Sequence, residues 1–376
     1  MMHGIERYLG LMSGTSADGI DAVVARFESG RFRALEATHH QPHAPGLREQ
    51  LVALGRNAEA QLSLAALAAL DVALADGFAA AAQAVLTKAA LQPRDIRAIG
   101  SHGQTVFHDP QHARSSLQWG DPNRIAALTG IPVVADFRRM DIALGGQGAP
   151  LVPAFHAAVF RGPQASAIVN LGGIANITLL SGEQRLATTG FDCGPANALM
   201  DEWALRQHGT PCDLDGAFAA QGQVVPALLA AWLAEPYFDL SPPKSTGRAL
   251  FNLDWAARLA PQPLHSYAAA DVQATLCELT AKTVVAAVPA ETTRLLICGG
   301  GAFNRHLLNR LMALLPHAQV LTTEAEGLPP QWVEAAAFAW LAHQRIHRLP
   351  GNLPSVTGAS HLAVLGGVYG ERARQP

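Results

Sequence analysis

The sequence predicts a mixed α/β protein built as two similar domains. Three observations carry that prediction. A chain of 376 residues is long for one hydrophobic core and suits two. An apolar run, a turn of glycine and small polar residues, and a second apolar run open the chain, and the same plan recurs from Ala167 to Leu180. Short strand-like runs alternate with alanine- and leucine-rich helical stretches, the pattern of sheets covered by helices.

Tyr8–Met12 and Ile20–Phe27 read as strands around the turn in GLMSGTSADGID. Residues 45–56 and 62–90 read as helices. Ile96–Ser101 is a short buried strand leading into HGQTVFH, and IPVVADF at 131–137 is another apolar run ending in polar residues. LGGQGAPLVP at 144–153 reads as a loop. In the second half, AIVNLGGIANITLL forms the recurring hairpin, and RLLICGGG at 294–301 is a strand running into three glycines. The leucines at 307, 308, 311, 314 and 315 trace one face of a helix, and WVEAAAFAWLAHQRI at 332–346 is a second helix.

Composition excludes several function classes. Apolar residues make up 49% and charged residues 15%, enough to build cores and unlike a disordered chain. The net charge is −3 and the basic residues are scattered, so no footprint for a nucleic-acid backbone exists. The cysteines Cys193, Cys212, Cys277 and Cys298 lack paired or metal-ligand spacing and read as reduced thiols. MMHGIERYLGLMSG has no apolar stretch long enough for a signal peptide, which points to the cytoplasm. The apolar segment 62–86 is interrupted by Asp71, Asp76 and Gln83, so it is expected to be a core helix and not a membrane span.

The glycine turns narrow the chemistry. Gly14 and Gly19 have the interval of a phosphate-binding P-loop, but Ile20 and Asp21 stand where lysine and a hydroxyl belong, and a strand follows. Lys244-Ser245-Thr246 has the lysine–hydroxyl pair without the glycine loop. Around Ser16 the last glycine of a hydrolase elbow is missing. What remains is either a bare tight turn or a hairpin that wraps an anion with its amides and the hydroxyls of Ser13, Thr15 and Ser16. Asp18 and Asp21 would sit beside that anion only with a divalent cation between, or facing sugar hydroxyls. Gly299–Gly301 depart from a dinucleotide fingerprint at Asn304, yet a strand–glycine–helix junction can still meet a nucleotide.

Asp192 precedes Gly194-Pro195 and a helix, so it is either an N-cap or a general base. Glu334 is a lone acid at a helix start, where a solvated charge suits the dipole. His102 and His108 lack a third ligand and read as polar or substrate contacts. Asp136, Arg138 and Arg139 follow an apolar strand, either as ligand-binding residues or as a surface ion-pair cluster.

Taken together, GLMSGTSADGID, SHGQTVFH, VVADFRRMD, GGQGAPLVPAFH, NLGGIAN, GFDCGPANALMD, PPKSTGR, FNL, CGGGAFN and EAAAFAWLAH, in that order, resemble the anhydro-N-acetylmuramic acid kinase family over nearly the whole chain. The resemblance implies two ribonuclease H-like domains of the actin/hexokinase type with an ATP and substrate cleft between them. The bounds expected with it are 1–138 and 139–361, with a C-terminal helix at 362–376 packing back on the first domain.

The resemblance also implies ATP binding by Gly14, Thr15, Ser16, Ala17, Asp18, Gly19, Ile20 and Asp21, by Gly172, Gly173 and Asn176, and by Gly299, Gly300, Gly301 and Asn304. Asp192 matches the catalytic base, which activates water against the anomeric carbon of a 1,6-anhydro sugar before O6 takes the γ-phosphoryl group. Glu334 matches an acid that contacts the sugar, and Asp136, Arg138, Gln147 and His102, inside the shared motifs, are expected on the sugar as well. Mg²⁺ is implied, held through water by Asp18 or Asp21, as is a homodimer acting on a small amino sugar. Three rivals stay open on the residues: another sugar kinase, an ATP-binding regulator and a nicotinamide oxidoreductase.

Overall fold

The computed structural model describes residues 4–14, 17–56, 60–182 and 187–370. The chain divides into two compact units, Met1–Val159 with Trp332–Pro376, and Phe160–Gln331.

Six strands open the first unit: β1 (Ile5–Ser13), β2 (Gly19–Glu28), β3 (Arg31–Pro42), β4 (Ala98–Asp109), β5 (Ser115–Trp119) and β6 (Val133–Ala135). The sheet runs β3-β2-β1-β4-β6, with β5 paired to β4. β1, β2 and β3 are antiparallel, while β4 lies parallel to β1 and β6 parallel to β4. The second unit holds β7 (Ser166–Leu171), β8 (Ile174–Leu180), β9 (Thr189–Pro195), β10 (Arg294–Cys298) and β11 (Gln319–Thr322), in the order β9-β8-β7-β10-β11. Its first three strands are antiparallel and its last two run parallel to β7. Both units therefore have one strand plan, the ribonuclease H-like topology, and the recurrence seen in the sequence is a recurrence of fold.

The helix Val333–Ile346 explains why the chain returns to the first unit. Its alanine-rich face lies directly on β1 and β4. A Cβ added at Gly10 would sit 1.9 Å from the Ala335 carbonyl oxygen, and one at Gly100 would sit 2.0 Å from that of Phe338. Gly10 and Gly100 are register partners on neighbouring parallel strands. Two glycines side by side make a flat seat that lets a helix backbone touch the sheet.

The expected bounds at 138/139 and 362 differ from this division at both joints. The helix just described holds 332–361 to the first unit. Residues 139–159 stay there too: Asp141 accepts hydrogen bonds from Asn352 Nδ2 (2.9 Å) and Thr357 Oγ1 (2.7 Å), and Phe155 packs edge-on against Phe32. The expected helix at 362–376 is replaced, within the described residues, by a strand at Gly367–Tyr369 that pairs antiparallel with β6. Residues 371–376 lie outside the described residues.

Leu64–Ala89 is long and apolar enough to cross a membrane by length and composition. Here it packs on β2, β3 and the helix Pro122–Thr129, burying Leu70, Leu74, Phe78 and Val85. The polar residues that interrupt it all have partners: Asp71 accepts the Gly120 N–H (2.6 Å), Asp76 pairs with Arg124 (2.6 Å), and Gln83 Nε2 donates to the Leu128 carbonyl (3.0 Å). They are polar because each tethers the helix to a neighbour. In the second unit the helix Ala269–Ala286 is buried along most of its length, within a core that includes Trp203, Trp232, Phe251 and Trp255.

Candidate active site

Asp192 is in the middle of β9, opposite Asn176, and a register shift at Cys193 follows it. It does not cap the helix Asn197–His208. The N–H groups of Ala196 and Ala198 donate to the Gly173 carbonyl (3.0 and 3.1 Å), and that of Asn197 to the Gly172 carbonyl (3.0 Å). The glycine turn between β7 and β8 thus supplies the cap through its backbone.

The Asp192 carboxylate instead accepts the N–H of Thr246 at Oδ2 (2.9 Å). Its main chain is held on both sides, N–H to the Lys244 carbonyl (3.2 Å) and carbonyl from the Tyr237 hydroxyl (2.8 Å). Lys244 does not neutralise it. That ammonium donates to the carbonyls of Tyr237 (3.3 Å) and Phe238 (3.0 Å) and lies over the Tyr237 ring. Although an edge of Asp192 reaches the surface, burial lifts its carboxyl to about 6, against the single opposing pull of the Thr246 amide. A carboxylate that ionises near neutrality is ionised at physiological pH and still basic enough to take a proton.

The glycine turns of this unit meet at one sheet edge. β7 and β10 are parallel, with Asn170 opposite Cys298, so Gly172-Gly173 and Gly299–Gly301 leave adjacent strands at their carboxyl ends. Gly299 adopts φ +78°, and a Cβ there would sit 2.3 Å from Asn170 Oδ1; one at Gly301 would sit 2.6 Å from the Leu171 Cβ. Those two glycines are required by strand packing. Gly172 and Gly300 meet nothing closer than 3.6 Å, so these two leave room beside the backbone. Asn304 accepts the Leu307 N–H (3.0 Å) at Oδ1 and so caps the helix Arg305–Leu314. Asn176 lies in β8 beside Asp192.

In the first unit, Arg138 is the centre of a buried cluster. Its Nη1 donates to the Gly148 carbonyl (2.7 Å), and Nε and Nη2 reach His102 Nε2 at 3.2 and 2.9 Å. A guanidinium only donates, so His102 Nε2 is the acceptor and its Nδ1–H points at the Ser13 carbonyl (3.3 Å). Burial and the neighbouring guanidinium hold His102 neutral, far below its ordinary range. Burial lowers Arg138 to about 10, while Glu334 and Asp141 pull it back up. Glu334, in the first turn of Val333–Ile346, is pushed up by burial and by Asp21 and pulled down by Arg138. Its carboxylate has no hydrogen-bond partner among the described residues.

Gln147 lies in the loop that this cluster shapes: its N–H donates to the Thr357 carbonyl (2.8 Å), and Asp141 accepts the Gly148 N–H (2.8 Å). Asp136 does not join it. It takes a left-handed backbone (φ +63°) just past β6 and pairs with Arg139 (2.7 Å), the surface reading of that motif.

The turn between β1 and β2 is bounded by Gly14, whose carbonyl accepts the Ala17 N–H (3.1 Å) and Gln104 Nε2 (3.2 Å). Thr15 and Ser16 lie outside the described residues. The Ser13 hydroxyl, expected on an anion, is buried 2.6 Å from Gln104 Oε1 and 3.1 Å from His43 Nε2. The side chains of Ala17 and Ile20 are buried, so these residues can offer a ligand only backbone. A Cβ at Gly19 would meet the Gln41 carbonyl oxygen at 2.5 Å. Asp21 accepts from His40 Nδ1 (2.8 Å) and is raised by burial and by Asp18.

Residues 6–371 match the family model described as anhydro-N-acetylmuramic acid kinase. The chain belongs to the anhydro-N-acetylmuramic acid kinase family. The kinase of Xanthomonas axonopodis pv. citri is 52% identical over 370 residues, covering 96% of this chain and 97% of that one. The kinase of Pseudomonas putida is 50% identical over 367 residues, covering 96% and 99%. Among solved structures, the (R)-2-hydroxyglutaryl-CoA dehydratase component A of Acidaminococcus fermentans aligns at a TM-score of 0.49 and 12% identity, covering 91% of this chain and 99% of that one.

Membership makes this chain an ATP-using kinase of cell wall recycling. Several residues around Asp192 and Arg138 have no chemical role assigned to them by the sequence. Thr246 and Lys244 stand in the sequence as a failed P-loop pair and as part of the PPKSTGR motif, and it is their backbone that holds Asp192. Asn197 (Nδ2 to the Leu171 carbonyl, 2.8 Å) and Asp141 lie inside quoted motifs without a role of their own, and Tyr237 lies outside them all.

Proposed function

We propose that this kinase opens the 1,6-anhydro ring of 1,6-anhydro-N-acetylmuramic acid with water and moves the γ-phosphoryl group of ATP to O6, giving N-acetylmuramic acid 6-phosphate and ADP. The observation that carries the reading is the Asp192 carboxyl, lifted to about 6 by burial and aimed by the Thr246 amide, in a chain of this family. Asp192 takes a proton from water as the water oxygen bonds the anomeric carbon. The bond from that carbon to O6 breaks, and O6 keeps the electron pair with which it attacks the γ-phosphorus, releasing ADP. General-base help of this kind contributes about 10²–10⁴-fold.

Other residues bind and position. The amides of the Gly172-Gly173 turn and of Gly300, with Gly14–Asp21, are assigned to ATP. Glu334, Arg138, His102 and Gln147 are assigned to the sugar: Arg138 offers a buried cation, and Glu334 an acceptor without a protein donor. The donor set also fits a divalent cation, because Asp18 opposes the ionisation of Asp21 and Asp21 that of Glu334, with Arg138 a buried countercharge. Asp18 or Asp21 would hold Mg²⁺ through water. When bound, Mg²⁺ neutralises charge on the transferring phosphates. The use of ATP supports a cytoplasmic location, and the family resemblance supports a homodimer, which light scattering on the purified protein tests.

The deciding experiment measures ADP release with Mg-ATP and 1,6-anhydro-N-acetylmuramic acid, beside N-acetylmuramic acid and a no-sugar control. Sugar-dependent ADP with the anhydro sugar, and a 6-phosphate product by mass, is the expected result. A folded, ATP-binding protein that releases no ADP with it would overturn the proposal.

A further inference from the structure

At the start of β1, far from the turn that ends it, Glu6 faces the last turn of the helix Val333–Ile346. His347 Nε2 lies 2.8 Å from Glu6 Oε2, and His343 Nε2 lies 3.9 Å from the same oxygen. The three ligand atoms fall within 4.8 Å of one another. The pair His343 and His347 is spaced one helical turn apart, so both rings project from one face.

The decisive atom is His343 Nε2. The ring is fully buried, stacked on Phe27 at 4.6 Å between centroids and set edge-on to Tyr8 at 5.3 Å. Its Nδ1 sits 3.2 Å from Gln344 Oε1, and the amide nitrogen of Gln344 donates to the Pro350 carbonyl, which fixes that oxygen as an acceptor. Nδ1 therefore carries the proton, and Nε2 presents a lone pair. That lone pair has no hydrogen-bond partner among the described residues and is aimed at Glu6. An ordinary Glu6–His347 ion pair accounts for two of the three groups and leaves the third orphaned in the core.

We propose that Glu6 Oε2, His343 Nε2 and His347 Nε2 bind a divalent cation of the Zn²⁺ class, with water in the fourth position. Two histidines and a carboxylate are a zinc ligand set, and bonds of about 2.0–2.1 Å place such ligands roughly 3.3 Å apart, between the two separations found. The Gln344 contact is the outer-shell hydrogen bond that fixes the tautomer of a ligating histidine. Tyr8, whose hydroxyl is 3.3 Å from His347 Nε2, and Phe27 wall the site. The cation ties the first residues of β1 to the end of the helix Val333–Ile346, so it is a structural clasp of the first unit. It rests on none of the residues assigned to the kinase reaction.

The test uses the full chain, stripped with a chelator and titrated with Zn²⁺ by calorimetry and with Co²⁺ by visible spectroscopy. Glu6→Gln and His347→Gln, both at partly exposed positions, are run beside it, with circular dichroism and kinase activity as checks on folding. The expected result is one tight Zn²⁺ per chain, the intense bands of four-coordinate Co²⁺, and a higher melting temperature with Zn²⁺. Each variant should lose at least the roughly 10–100-fold in affinity that an outer-shell change already costs. No bound Zn²⁺, a pale six-coordinate Co²⁺ spectrum, or binding undiminished in both variants, as other histidines such as His39 and His40 would give, overturns it.

Discussion

The Thr246 N–H donates to Asp192 Oδ2 at 2.9 Å across 54 residues of sequence. Burial raises this carboxyl and the amide lowers it, and burial wins, leaving it at about 6. The pair sets both where the base points and how strongly it binds a proton.

Asp192→Asn should lower kcat by about 10²–10⁴-fold, because the amide cannot accept the proton. The fold should survive, since asparagine keeps an oxygen for the Thr246 N–H and the helix Asn197–His208 is capped by other groups. ADP release beside a thermal melt checks this. Near-normal turnover in a folded variant would remove Asp192 from the chemistry.

The pH–rate profile of kcat/KM should show an acid limb near 6, with activity rising as Asp192 ionises. Stability runs the other way. The folded carboxyl lies above its ordinary 3.8, so its contribution is fully present below about pH 4 and is lost as pH rises through about 6. Asp192→Asn should abolish that part of the slope and be at least as stable as the parent at neutral pH. Urea midpoints across that range read it out.

Gly10→Ala and Gly100→Ala should each destabilise by about 1–3 kcal/mol or more, because the new methyl meets a helix carbonyl near 2 Å. Gly46→Ala, in the helix Pro45–Arg56 with nothing within 4 Å, should instead gain up to about 1 kcal/mol. Chemical denaturation of the three variants separates close packing from a general dislike of alanine.

Arg138→Leu should cost about 1–3 kcal/mol, since it strips hydrogen bonds from buried His102 Nε2 and the Gly148 carbonyl. It also leaves Glu334 without the guanidinium that favours its charge. Adding Glu334→Gln should therefore cost less in the Arg138→Leu background than in the parent. A double-mutant cycle in urea measures the coupling, and strict additivity would mean that the two do not interact.

Much of the fold is legible because its causes are local. The helix expected at 45–56 is present at those bounds, those at 62–90 and 332–346 start within two residues of their predicted positions, and both glycine hairpins form. Apolar periodicity and glycine turns act over a few residues, and the sequence displays them directly. β3 is different: RFRALEATHHQP reads as polar, and it becomes a strand because β2 offers a full ladder of partners.

The site divides along the same line. Residue type and order, read against the family resemblance, determined by themselves that this is a kinase and which acid is its candidate base. That Asp192 does not cap the helix that follows it, that Asn304 does cap one, and that Arg138 is a buried cation and not a surface ion pair were decided by the tertiary structure alone. So was the meeting of Glu6 with His343, more than three hundred positions apart. Capping, desolvation and ligand geometry depend on which distant groups occupy the few ångströms around an atom, and spacing along the chain does not carry that information.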